Sequence, residues 1–139
     1  MRKIIIASHH KMASGLSDTL QYIAPNTGEI TVIDAYLDNT PVTDAVAQAL
    51  AAVGPDDEAL VFTDLLGGSV NQAFTPYLAQ GNVHLVTGMN LPVILTLILS
   101  LGAGKIEAAA VAGAVKEARE QLLYVNDYLA AAALTEEDE

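Results

Sequence analysis

Cysteine is absent from the chain, and so is tryptophan. Without cysteine there is no disulfide framework and no thiolate metal site, as suits a cytoplasmic protein. Cations are scarce: six Lys and Arg stand against 17 Asp and Glu, a formal charge of −11. Such a surface repels nucleic acid phosphates, and no basic patch or aromatic stripe opposes that reading. A long apolar run is lacking too. Leu85 to Gly104 carries no charge, but Thr87, Gly88, Asn90 and Pro92 interrupt it. A spanning helix needs about 20 predominantly apolar residues. The start, Met-Arg-Lys-Ile-Ile-Ile-Ala, is too short for a signal peptide and runs into Ser-His-His. No pairing of His with acidic residues has metal-ligand spacing, so neither metal nor organic cofactor is expected.

What is present is a core-forming excess of apolar residues, 52% of the 139-residue chain. The length suits one domain, expected over residues 1–130, with an acidic tail over 131–139. Apolar, β-branched runs alternate with stretches of helical period. Strands are expected at Lys3–Ser8, Glu29–Ala35, Glu58–Thr63 and Asn82–Thr87. Helices are expected at Met12–Ile23, Val42–Val53 and Val70–Gln80, then after an Asn90 cap with Pro92 in the first turn, and at Ile106–Leu122. Asn39 or Thr40 is the expected cap of the second helix. Leu123–Asp127 reads as a fifth, short strand. The alternation implies an α/β three-layer fold: an open parallel sheet with helices on both faces. Ligands of such sheets bind at the carboxyl ends of the strands, where the strand order reverses.

At those ends stand particular residues. Ser8, His9, His10 and Lys11 follow the first strand; Asp64 to Ser69 follow the third; Gly88, Met89 and Asn90 follow the fourth. With a strand order of 2-1-3-4, His9 and Asp64 face each other across the switch point. A carboxylate that accepts from one imidazole nitrogen fixes the tautomer and turns the other nitrogen outward as a nucleophile. Gly67, Gly68 and Ser69 open a helix, where free backbone N–H groups and a hydroxyl can meet a phosphoryl group. Each feature alone is ordinary: a surface histidine, a turn aspartate, a glycine-rich loop. Their convergence on one rim favours phosphoryl transfer, which needs mostly positioning and charge stabilisation. Other polar residues have structural readings: His84 lies within a strand, and Asp34 suits a turn.

The segments IIIASHHKMASGL, VFTDLLGGSVNQAF and GMNLPVILTL resemble, in order and spacing, the IIA domain of the mannose-type phosphoenolpyruvate-dependent sugar phosphotransferase system, the mannose/fructose/sorbose family. The resemblance runs from about Lys3 to Asp127. It implies a parallel sheet of order 2-1-3-4 with an antiparallel strand, Leu123–Asp127, exchanged in a homodimer. It implies that His9 is phosphorylated, that Asp64 orients its ring, and that Gly67, Gly68 and Ser69 surround the phosphoryl group. The implied donor is HPr. The implied acceptor is a IIB protein, which serves the membrane IIC and IID components. Two departures stand out: His10 replaces the family's usual glycine, and Leu65-Leu66 replaces a more polar and aromatic pair. A dihydroxyacetone kinase phosphotransfer subunit would share this fold. A receiver-like signalling domain would need more carboxylates after the first strand.

Overall fold

Strand and helix alternate along the chain because apolar residues alternate in period. A computed structural model describes residues 1–137; the last two residues of the expected acidic tail, Asp138 and Glu139, lie outside the described residues. The strands are β1 (Arg2–His9), β2 (Ile30–Ala35), β3 (Glu58–Thr63) and β4 (Val83–Val86). The helices are α1 (Met12–Ile23), α2 (Val42–Ala51), α3 (Ser69–Phe74), α4 (Leu91–Ser100), α5 (Ala108–Arg119) and α6 (Val125–Glu137).

The strands form one parallel sheet of order β2-β1-β3-β4, as the sequence pattern predicts. The register sets Ile6 beside Phe62, and Ala7 beside Thr63. Successive side chains point to opposite faces, so each central strand feeds two cores. Ile4, Ile6, Leu60 and Phe62 pack with Leu20, Ile94, Leu97 and Ala114 of α1, α4 and α5. Ile5, Ala7, Ala59 and Val61 pack with Val46, Leu50, Val70 and Phe74 of α2 and α3. Burial on both faces explains why β1 and β3 read as unbroken apolar runs.

Three expectations are corrected. The single helix expected over Val70–Gln80 divides: α3 ends at Phe74, and a 3₁₀ helix takes Thr75–Gln80. Pro76 has no N–H, and its ring crowds the carbonyl of Gln72. That carbonyl takes the Thr75 hydroxyl instead, at 2.8 Å. The cap of α2 is Pro41, with no side-chain cap bond, rather than Asn39 or Thr40. Asp38 Oδ1 accepts from Thr40 N–H in the turn before it.

The third correction concerns the C-terminal segment. Leu123–Asp127 is not an antiparallel strand; it leads into α6, and Tyr128 N–H donates to the Tyr124 carbonyl at 3.1 Å. A strand needs a neighbouring backbone to satisfy its N–H and C=O groups, and this segment has none within the sheet. The Leu-Ala-Ala-Ala-Ala-Leu run from Leu129 favours a helix, which satisfies those groups internally.

Candidate functional site

The carboxyl ends of β1 and β3 lie side by side, and the site is built on them. Beyond β1 the chain turns sharply. His10 sits at φ 52°, in the left-handed region, and its N–H donates to the Ala35 carbonyl at 2.8 Å. Buried Ser8 shapes this turn: its hydroxyl accepts from Ala13 N–H at 2.8 Å and donates to the His10 carbonyl at 3.2 Å. Asp34, at the end of β2, accepts from Ser14 N–H at 3.0 Å and so caps the first turn of α1. Thus β1, β2 and α1 are tied together around His9.

Beyond β3, Thr63 is fully buried, and its hydroxyl donates to Asn71 Oδ1 at 2.8 Å. This bond fastens the end of β3 to α3 across the intervening loop. Met89 N–H donates to the Thr63 carbonyl at 3.0 Å, which ties in the loop after β4. Within the loop, Gly67 takes φ 76°, a conformation L side chains rarely adopt. Gly68 lets the loop fold tightly: a Cβ there would crowd the Leu65 carbonyl oxygen at 3.2 Å and the Leu65 Cβ at 3.3 Å, while His9 Cε1 at 3.5 Å would be in ordinary contact.

His9 and Asp64 meet, though 55 residues apart in sequence. One carboxylate oxygen, Oδ2, lies 2.8 Å from both the His9 backbone nitrogen and its Nδ1. The other, Oδ1, accepts from Leu65 N–H at 3.0 Å. Burial pushes the Asp64 carboxyl up, but the hydrogen bonds and charge of His9 outweigh it and hold the group below its ordinary value. Asp64 is therefore a carboxylate, and Nδ1 is the donor. The other nitrogen, Nε2, faces Ser69 Oγ at 3.5 Å.

The glycine loop meets its expected place but not with all its amides free. Gly68 N–H donates to the Leu65 carbonyl at 3.1 Å. Ser69, the first residue of α3, is the loop residue whose side chain lies against Nε2. His10 is exposed, and among the described residues its side chain makes no contact of the kind that holds His9. Neither Lys11 nor His84 joins the cluster. His84 pairs with Glu58 at 3.1 Å near the amino ends of β3 and β4, half a sheet away.

One site residue has no signal in the sequence. Tyr36, just past β2, stacks its ring on His9 with centroids 5.3 Å apart, and its hydroxyl lies 2.6 Å from Ser69 Oγ. Its approach depends on a left-handed backbone at φ 69°, which no local pattern foretells. Asn71, by contrast, stands in the SVN run two residues beyond Ser69, and its burial on α3 marks it as a bonded group.

The family profile described as "PTS system fructose IIA component", EIIA-man, matches residues 3–116. The chain belongs to the EIIA-man family. It is a phosphoryl-carrying IIA component of a sugar phosphotransferase system (PTS). Among solved structures it is similar to a Klebsiella pneumoniae protein described as a phosphoenolpyruvate-dependent sugar PTS permease. The identity is 31%, the match covers 92% of this chain and 93% of the other, and the TM-score is 0.81. It is also similar to the PTS IIA protein associated with the fucose utilization operon of Streptococcus pneumoniae, at 26% identity, 92% and 96% coverage and TM-score 0.75. The mannose/sorbose-specific IIA subunit of Enterococcus faecalis, 19% identical, shares the fold over 88% of this chain and 92% of its own, with TM-score 0.74. Comparison with curated proteins gives no match.

Proposed function

We propose that this EIIA-man protein carries its phosphoryl group on Nε2 of His9, taken from phospho-HPr and passed to a separate IIB protein. The observation that supports this most is the 2.8 Å contact between Asp64 Oδ2 and His9 Nδ1. It consigns the ring proton to Nδ1 and leaves the Nε2 lone pair facing Ser69 and the glycine loop.

In the first half-reaction Nε2 attacks phosphorus in line. The bond from phosphorus to the donor nitrogen breaks as the new N–P bond forms, and the donor ring departs neutral. Positive character then builds on the His9 imidazole, and the Asp64 carboxylate stabilises it. Ser69 Oγ and the N–H groups of Gly67, Ser69 and the first turn of α3 donate to the equatorial oxygens. Gly68 serves differently: its missing side chain lets the loop fold back on Leu65. The second half-reaction runs the same path backward to the IIB acceptor. No metal or organic cofactor takes part in these steps. The setting is the cytoplasmic side of a membrane that holds IIC and IID; among the described residues no helix is long and apolar enough to cross it.

His10 is the competing acceptor. Among the described residues it has no carboxylate partner, and it sits in a left-handed turn. Phosphorylation by a purified donor system, with His9→Ala and His10→Ala run alongside, tests the reading. An acid-labile, base-stable adduct lost only in His9→Ala is the expected result. An adduct that survives His9→Ala at full yield overturns it. The exposed apolar residues of α6 further support a homodimer, with Val125, Tyr128, Leu129 and Leu134 each more than half exposed.

A further inference from the structure

Three side chains from three separate segments close a chain of contacts at Nε2. Tyr36 stacks on the His9 ring, tilted by 33°. Its phenol oxygen is 2.6 Å from Ser69 Oγ, and Ser69 Oγ is 3.5 Å from Nε2. The donor order of this chain follows from chemistry. Asp64 is a carboxylate, so Nδ1 keeps the ring proton and neutral Nε2 can only accept. A Ser69 hydroxyl turned toward Nε2, 3.5 Å away, leaves its oxygen to accept from the Tyr36 hydroxyl at 2.6 Å. A serine hydroxyl alone rotates freely; one held by a phenol has a preferred direction.

The backbone shows that this arrangement is imposed. Tyr36 is bulky, yet it takes φ 69°, a left-handed conformation that side chains of L residues rarely adopt. The surroundings that hold it there are the Ala35–His10 hydrogen bond, the His9 ring and Ser69. Strain of this kind concentrates where a side chain must be aimed. Here it aims an aromatic ring across the face of the imidazole and a phenol at the hydroxyl beside its free nitrogen.

We infer that Tyr36 is a positioning residue for phosphoryl transfer, acting through Ser69 and the plane of the His9 ring. The inference rests on His9 being the carrier. Before transfer, Tyr36 orients the Ser69 hydroxyl toward the Nε2 lone pair. After transfer that lone pair is consumed in the N–P bond, and Ser69 turns its proton to a phosphoryl oxygen while still accepting from Tyr36. The tilted phenol ring resists rotation of the imidazole out of the line of attack.

The test compares Tyr36→Phe and Tyr36→Gly with the wild-type chain by single-turnover phosphoryl transfer and by ¹⁵N spectroscopy of the His9 ring across a pH titration. Tyr36→Phe removes only the hydroxyl and should slow transfer about tenfold, the size of one oriented hydrogen bond. Its Nε2 resonance should move while the Nδ1 resonance, held by Asp64, stays. Tyr36→Gly suits φ 69° and should keep or raise thermal stability while slowing transfer further. A purely structural role predicts the opposite pair: lower stability, with an unchanged rate in every folded variant. Unchanged rate and unchanged Nε2 resonance in Tyr36→Phe overturn the inference. A wild-type chain that takes no phosphoryl group overturns the reading of His9 instead, and the Nε2 resonance then decides the role of Tyr36.

Discussion

Asp64 holds two N–H groups of His9 with a single oxygen, so its charge bears on folding and, in the proposed reading, on transfer. Its carboxyl sits below the ordinary value in the folded chain, because the hydrogen bonds and charge of His9 outweigh the effect of burial. A depressed carboxyl contributes stability above its unfolded value, about pH 4, and loses that contribution as pH falls through the lower folded value. Asp64→Asn should therefore be less stable than wild type by about 1–3 kcal/mol at pH 7, with the gap closing below about pH 4. Urea unfolding at the two pH values checks this; a gap independent of pH would refute the charge argument. The same variant should transfer phosphate at least about 10²-fold more slowly, because the tautomer of His9 is no longer fixed. Both residues were legible in the sequence, since each directly follows a strand. Their contact was legible only given the strand order. Tyr36 was not, because its approach depends on one unusual backbone angle.

At the scale of elements, α3 links the core to the site. Val70 and Phe74 bury its inner face, Asn71 bonds Thr63, and Ser69 reaches His9. Asn71→Ala leaves the Thr63 hydroxyl buried without an acceptor, which costs about 1–3 kcal/mol. It should also loosen the loop that carries Asp64, so that transfer slows along with a lower urea midpoint. A loss of stability with an untouched transfer rate would show that the loop is held by other means. Most elements were evident from periodicity: β1, β3 and α1 lie where the apolar pattern puts them, and Asn90 caps α4 by accepting from Val93 N–H at 2.9 Å. The misreadings have local causes. Pro76 stops α3 early, and Leu123–Asp127, short of a strand partner, continues into a helix.

For the whole molecule, the sheet orders the chemistry and α6 remains to be covered. Tyr128, Leu129 and Leu134 of α6 are each more than half exposed. An apolar surface of that kind favours self-association, against the repulsion of two chains at −11 each. Sedimentation should show a dimer that strengthens with salt, and Leu129→Lys should shift it toward monomer without changing phosphoryl uptake. A wild-type chain monomeric at all concentrations would remove α6 as the interface. The class of fold and the two-faced burial of the central strands could be read from the chain alone, as could the placing of His9 and Asp64 at neighbouring strand ends, because hydrophobic period and residue chemistry are local properties. It took the folded arrangement to show which nitrogen of His9 meets Asp64 and which faces Ser69, that Tyr36 lies against the ring, and that the C-terminal segment is helical. Those depend on side chains meeting across 25 residues or more, and on the presence or absence of a neighbouring backbone, neither of which a local pattern contains.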